Sequence, residues 1–310
     1  MVATNWPTDQ WPEGVAQDLD FEVYNQPVYD LLDDSARDYP DNVFTIFNDA
    51  TRTFAQVKDT ADRVANFLAS AGIKKGDRVA IFLPNIPHYP AIFFGILKAG
   101  AICVTCNPLY TAPELNYQLN DSGSKVVFCM DHPQFYPTAV EAVKNTGVET
   151  VVYCNIKSYL PKLKGFLGSL LGKIPKAESH EAGHKSFDDV VAAAQPSPPQ
   201  VSITPSEDLA LIIYTGGTTG RPKGAALYHT NFTYDARALE KWVRLVHEPG
   251  GKPEQTRKGG FHTYLGVLPW YHSFGLTCCM LTACASGNKL IPVPDPRAGD
   301  PPFTDVLETV

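Results

Sequence analysis

Residues 78–108 read RVAIFLPNIPHYPAIFFGILKAGAICVTCNP. RVAIFLPN, from Arg78, is a short apolar run ended by a proline, YPAIFFGILKAG is helix-like, and a second strand-like run, AICVTCNP, follows directly. Strands joined through a helix pair in parallel, because a parallel connection needs a crossover of a dozen or more residues. The pattern extends in both directions. Upstream, TFAQVKDTADRVANFLASAG sets Phe54, Val57, Ala61, Val64 and Leu68 at steps of three and four, one helix face closed by Gly72. Downstream, Thr111-Ala112-Pro113-Glu114 is a capping box with proline at the first helical position, opening a helix that ends near Gly123. KVVFCM, a helix through Val143 and TVVYCN complete four β-rich runs about 24 residues apart. Runs apolar almost throughout suit strands covered on both faces, so the expected fold is α/β with a largely parallel sheet.

The proline-rich QPSPPQVSITPSED, residues 195–208, reads as a linker. The expected organisation is an N-terminal segment and helix over 1–52, a first α/β subdomain over 53–194, a linker over 195–207 and a second α/β subdomain over 208–310. In the last, DLALIIY is a buried-type strand, a helix begins near Thr230, TYLGVLP and NKLIPVP are strand-like, and PFTDVLETV reads as the first turns of a helix.

A length of 310 residues suits about two domains, and 44% hydrophobic with 19% charged residues is the balance of a globular chain. A net charge of −7 argues against general nucleic-acid binding, which needs clustered Lys and Arg. The N-terminus has no basic start followed by an apolar run, and no apolar stretch reaches membrane-spanning length, so a cytoplasmic location is expected. Seven cysteines, several inside apolar runs (Cys103, Cys106, Cys129, Cys154), suit buried thiols in a reducing compartment. Cys103 and Cys106 are half of a metal motif with no second half.

DLALIIY runs into YTGGTTGRPKG, residues 214–224, with Gly216, Gly217, Gly220 and Gly224, the hydroxyls of Thr215, Thr218 and Thr219, and one lysine, Lys223, behind a proline. Each ordered glycine costs roughly 0.5–1 kcal/mol relative to alanine. Bare amides and a lysine after a buried strand describe an anion cradle. The spacing matches neither GxxxxGK[ST] nor GxGxxG.

As a block, this stretch resembles the Thr-[Ser/Gly]-Gly-Thr-Thr-Gly-x-Pro-Lys-Gly signature of the adenylate-forming enzymes, with glycine at 216 where serine is common. GAICVTCNPLYTAPEL (100–115) and LPWYHSFGL (268–276) resemble two further family segments, and the fatty-acyl and aryl-CoA ligase branch fits best. The resemblance implies an acyl-CoA synthetase-like N-terminal domain built of α/β subdomains, incomplete at the C-terminus and without the C-terminal lid domain. It implies AMP-forming ligation of a fatty acid or related carboxylate, using Mg-ATP and then coenzyme A. An aryl-acid ligase of the coumarate type and a non-catalytic nucleotide- or acyl-binding relic remain open.

By position, Thr215, Gly216, Gly217, Thr218, Thr219, Gly220, Lys223 and Gly224 would hold the phosphates, with Thr215 reaching Mg2+ and Lys223 offsetting pyrophosphate charge. His272 would sit near the reacting carboxylate, with Tyr271, Ser273, Phe274 and Gly275 in the substrate pocket. The family's ribose-binding acid, hinge and catalytic C-terminal lysine are not in these residues, so the 310 residues alone are expected to be inactive.

Two other signals compete. His180-Glu181-Ala182-Gly183-His184 spells HExxH, but its polar flanks and Gly183 read as a solvated loop rather than the helix a zinc site needs. YLPKLKGFLGSLLGKIPK, residues 159–176, places Leu160, Leu163, Phe166, Leu167, Leu170, Leu171 and Ile174 on one helical face with four lysines and no acid. Such a helix either packs on its own domain or lies at the inner face of a membrane, and both readings stay open, as does a homodimer.

Overall fold

The computed structural model describes residues 24–216, 221–247 and 262–298. The N-terminal residues 1–23, Gly217, Thr218, Thr219 and Gly220 of the glycine loop, and the expected helix in PFTDVLETV lie outside the described residues.

The stretch 78–108 forms β3 (Arg78–Phe82), α3 (His88–Lys98) and β4 (Ile102–Thr105), counting β1 (Val43–Phe47), β2 (Ala50–Thr53), α1 (Asp30–Asp38) and α2 (Phe54–Ser70) before it. β3 and β4 pair in parallel with Val79 opposite Cys103 and Ile81 opposite Thr105. Every residue of α3 is buried. On α2, the five residues of the expected stripe are buried, a Thr53–Gln56 capping box starts the helix, and Gly72 follows its end at φ +85°. The two helices touch at Gly95, where a Cβ would come within 2.6 Å of the Val64 side chain.

Buried Lys98, at the end of α3, has its Nζ 2.6 Å from Asp62 and 2.5 Å from Asp33, which joins α1, α2 and α3. Two carboxylates on one buried ammonium compensate the desolvation that a lone buried charge could not bear.

Next come α4 (Ala112–Ser122), β5 (Ser124–Met130), α5 (Phe135–Ala142) and β6 (Thr150–Cys154). The capping box forms between Thr111 and Glu114. Gly123 ends α4 in the left-handed region, and the Arg78 guanidinium satisfies the Ser122 and Gly123 carbonyls at 2.7 and 3.0 Å. Residues 156–159 form a 3-10 turn before α6 (Lys162–Leu170), which is shorter than the 159–176 pattern implied. The reason is Gly172, left-handed at φ +64°, after which the chain folds back. β7 (Lys185–Ser186) and α7 (Phe187–Ala193) then lead into the 195–207 stretch, which is irregular chain.

Beyond it lie β8 (Leu209–Thr215), β9 (Lys223–Tyr228), α8 (His229–His247) and β10 (Thr263–Gly266). A helical segment over 273–285, labelled α9, is π-helical across Leu276–Leu281, and β11 (Lys289–Pro292) follows.

The sheets do not divide where the sequence does. β8 pairs in parallel with β4, so one seven-stranded sheet runs β7-β6-β5-β3-β4-β8-β9 across the proline-rich connection, with only β9 antiparallel. β10 and β11 instead join the N-terminal hairpin in a four-stranded sheet, β10-β11-β1-β2, with Thr45 opposite Leu290. The larger core lies between the two sheets and holds α2, α3 and part of α9. A smaller core packs α4 and α5 on the outer face of the seven-stranded sheet.

Candidate active site

The glycine loop connects two antiparallel strands. Thr215, the last residue of β8, lies opposite Lys223, the first of β9, and Tyr214 lies opposite Gly224. The chain therefore leaves the carboxyl end of a strand that is parallel to β4, where open α/β sheets bind ligands, and returns as β9 rather than as a helix. Among the described residues no helix starts at the loop, and Arg221 and Lys223 are the cations on its returning arm.

Thr215, Gly216 and Lys223 are exposed. The Thr215 hydroxyl donates a long bond, 3.3 Å, to the Lys223 carbonyl, which uses its hydrogen and leaves the lone pairs of its oxygen open to a ligand. A Cβ on Gly224 would sit 2.7 Å from the Ile212 side chain and 3.2 Å from the Tyr214 ring, so the close pairing requires glycine. Gly216 differs: among the described residues nothing lies within 4 Å of where its Cβ would be. The Tyr214 hydroxyl donates to Asp121 at 2.6 Å, and burial followed by that bond pushes its phenol pKa well up. Tyr117 donates to the Pro222 carbonyl at 3.1 Å beneath the Arg221 guanidinium, fixing the returning arm of the loop on α4. A cleft of about 440 Å³ opens here, lined by Tyr110, Tyr117, Tyr214 and Arg221.

The second family segment, 268–276, is a tight turn into α9. Its geometry is set by residues that motif reading did not identify. Asn85, just past the end of β3, donates to the Gly266 and Leu268 carbonyls, each at 2.8 Å, and accepts from the Trp270 N–H at 2.9 Å. Tyr89 donates to the Trp270 carbonyl at 3.1 Å. Thr105, at the end of β4, donates to the Tyr271 carbonyl at 2.8 Å and is itself held by Gln118 at 2.9 Å. The one signal that could have exposed Asn85 and Thr105 is their position at the carboxyl ends of parallel strands.

Tyr271 is half-buried, and burial raises its phenol pKa. It lines a cleft of about 380 Å³ with Asn85, Pro108, Phe135, Val267 and Arg297, where the carboxyl ends of both sheets meet. His272 is exposed at the N-cap of α9, its Nδ1 accepting a long bond, 3.4 Å, from the Phe274 N–H. That contact puts the proton of the neutral ring on Nε2, which presents a donor outward. Ser273 and Phe274 are exposed. Gly275 is buried beneath the turn, where a Cβ would fall 2.3 Å from the Pro269 carbonyl oxygen, so the turn requires glycine there.

Thr105 relates the two parts. It is the Cα partner of Ile213, two residues before Thr215, and its side chain holds Tyr271, the neighbour of His272. Thr215 with Lys223 and Tyr271 with His272 thus flank the same strand end.

The HExxH stretch is a loop with Gly183 at φ +90°, so its two imidazoles share no helix face. His180 Nε2 lies 3.0 Å from Asp131 and its ring stacks on Tyr153, while His184 Nδ1 lies 2.7 Å from the Tyr136 hydroxyl. His180 ties this loop to the ends of β5 and β6, and His184 ties it to α5. Among the described residues no three His, Cys, Asp or Glu side chains converge as metal ligands. Cys103 and Cys106 are buried free thiols whose pKa values burial pushes up.

The chain resembles known proteins over most of its length. It is 32% identical over 295 residues to a long-chain-fatty-acid–CoA ligase of Bacillus subtilis, covering 92% of this chain and 49% of that protein. It therefore spans about half the length of the curated relatives it matches. The apo structure of Mycobacterium smegmatis MbtA superposes with a TM-score of 0.69 at 28% identity, over 88% of this chain and 45% of that one. A long-chain-fatty-acid-CoA ligase (FadD1) from Archaeoglobus fulgidus shares the fold with a TM-score of 0.67 at 23% identity, over 92% and 50% of the two chains. Residues 32–310 match the AMP-binding enzyme family, and with its loop, turn and sheets so arranged this chain belongs to that family.

Proposed function

We propose that this chain supplies the N-terminal portion of an AMP-forming fatty acid:CoA ligase. In this reading a carboxylate attacks the α-phosphate of Mg-ATP to give acyl-AMP and pyrophosphate, and the thiol of coenzyme A then displaces AMP. The observation that carries it is the placement of the glycine loop and the Tyr271–His272 turn on either side of the β4 end, through Thr105. A signature alone would leave the loop a phosphate site; the adjacent turn gives it a second reactant. The barrier is mainly one of bringing anions together, so positioned donors and a cation are the groups that matter.

Lys223 offsets charge on the departing pyrophosphate, Thr215 and the loop amides hold the β- and γ-phosphates, and the outward Nε2–H of His272 steadies the carboxylate or α-phosphate oxygen. Tyr271 forms a wall of the acyl site. The exposed Thr215 hydroxyl fits a role toward Mg2+, but it is one ligand, so the ion that accompanies ATP would be held largely by phosphate oxygens and water. The similarity to long-chain-fatty-acid ligases favours a fatty acid over an aryl acid. A long-chain acid partitions into lipid, which accords with a peripheral contact through residues 159–176.

The test is carboxylate-dependent ATP–pyrophosphate exchange by the full gene product across fatty and aryl acids. Exchange with fatty acids that falls at least ~10²-fold in Lys223→Ala supports the reading. Exchange with aryl acids alone moves the substrate to the coumarate type. No exchange with any acid, from folded protein with Mg-ATP, leaves a nucleotide- or acyl-binding relic.

A further inference from the structure

Helix α6 is mounted with its apolar face outward. Its one buried residue is Gly165, which packs against the Lys157 carbonyl and Leu160, and Gly168 lies under Ile174, whose side chain is 3.0 Å from where a Cβ would be. Leu163, Phe166, Leu167, Leu170 and Leu171 are 70, 64, 44, 72 and 64% exposed. Nine large hydrophobic side chains are exposed among the described residues, and these five are consecutive in that series, so the exposure is a patch and not scatter. Their spacing of three, one, three and one places them on a single helical stripe. A helix packed on its own domain through this stripe would bury it; here the stripe is exposed and the one buried residue is Gly165 on the opposite face.

The surroundings indicate what the face meets. Lys162, Lys164, Lys173 and Lys176 are exposed, no acidic residue lies within 159–176, and Lys164 pairs with Asp49 across to the β1–β2 turn. Protein interfaces favour aromatics and arginine and exclude lysine; this patch is leucine with one aromatic, ringed by lysines. A second copy facing the first would set both groups of lysines against each other. Leucines flanked by lysines, whose aliphatic stems reach back along the apolar surface, suit the boundary between acyl chains and phosphates.

We propose that residues 159–176 dock this protein on an anionic lipid surface. The helix lies in the interface plane, with the leucines and Phe166 among acyl chains and the lysines at the level of the lipid phosphates. Docking of this kind is independent of the ligase chemistry and is read by binding alone.

The experiment is co-sedimentation of the full gene product with vesicles of phosphatidylcholine, with and without phosphatidylglycerol. Three proteins are compared: the native sequence, Leu163→Gln/Phe166→Gln/Leu170→Gln, and Lys162→Gln/Lys173→Gln/Lys176→Gln. The native protein should bind the anionic vesicles, and the apolar variant should lose ~10-fold or more in partition coefficient at any ionic strength. The lysine variant should lose ~10-fold or more on anionic vesicles only, with a flatter salt dependence. All six substituted side chains are exposed, so unchanged thermal melts check folding. The proposal is overturned if the native protein ignores anionic vesicles, as it would were another part of the protein covering the face. Equal binding by all three proteins also overturns it. So does an apolar variant that turns a dimer into a monomer without changing vesicle binding, which would assign the face to a second copy.

Discussion

Substitution of Asn85 by alanine should damage the site without touching a motif residue. The Asn85 side chain makes three hydrogen bonds, at 2.8, 2.8 and 2.9 Å, all to the backbone of residues 266–270. At about 1 kcal/mol net for each bond, their loss costs about 3 kcal/mol. The Gly266 carbonyl and the Trp270 N–H are in buried bonds, so part of their desolvation penalty adds about 1 kcal/mol more, while water can reach the Leu268 carbonyl. The total, about 4 kcal/mol, is large but within the roughly 5–15 kcal/mol of a typical domain, so the variant should still fold. Urea unfolding reads the stability term. ATP–pyrophosphate exchange by the full gene product reads the displacement of His272, two residues after Trp270, and a shift of about 1 Å there should cost ~10²-fold. Asn85→Asp sharpens the test. It keeps the acceptor for Trp270 but sets a carboxylate against two carbonyls, so it should be at least as damaging at neutral pH and recover partly once protonated. A loss below about 1 kcal/mol with exchange intact in Asn85→Ala would refute the reasoning and mean that the 268–276 turn holds itself.

Two more perturbations separate backbone fit from charge. Gly224→Ala must displace Ile212 or the Tyr214 ring and should cost about 1–3 kcal/mol in urea unfolding and raise the KM for ATP, whereas Gly216→Ser, which meets open space, should leave both within error. A tolerated Gly224→Ala would show that the β8–β9 register is looser than described. Burial, with the nearby Arg52 charge adding to it, lowers the pKa of His88 from 6.5 to about 3, between Tyr159 and Phe187. The unfolded chain takes up this proton before the folded one, so stability is full above about pH 6.5 and falls as pH drops toward the folded value. Between pH 6.5 and about 4.5 the loss should be about 2 kcal/mol. His88→Leu should flatten that part of the stability–pH curve, and an unchanged curve would mean that His88 is not the group taking up the proton.

The local sequence determined most of the elements. A stripe at Phe54, Val57, Ala61, Val64 and Leu68, the box at Thr111 and Glu114, and the left-handed stop at Gly123 act within one turn of a helix, and all three form. Apolar runs near 78, 102, 124 and 150 became parallel strands because strands covered on both faces need no alternation. The glycine loop and the 268–276 turn were legible as blocks, since a close approach such as that of Gly224 or Gly275 tolerates no side chain. Pairings between distant parts of the chain carry no such local mark. Nothing near Thr45 announces Leu290 as its partner, and nothing in the proline-rich stretch says that β8 continues the sheet of β4. Asn85 and Thr105 look like ordinary strand-end residues until tertiary contact places the 266–271 backbone within reach of their side chains. The direction in which α6 faces is of the same kind. The periodicity of residues 159–176 fixes which side chains share a stripe, but only the packing of Gly165 against the preceding 3-10 turn leaves that stripe on the outside.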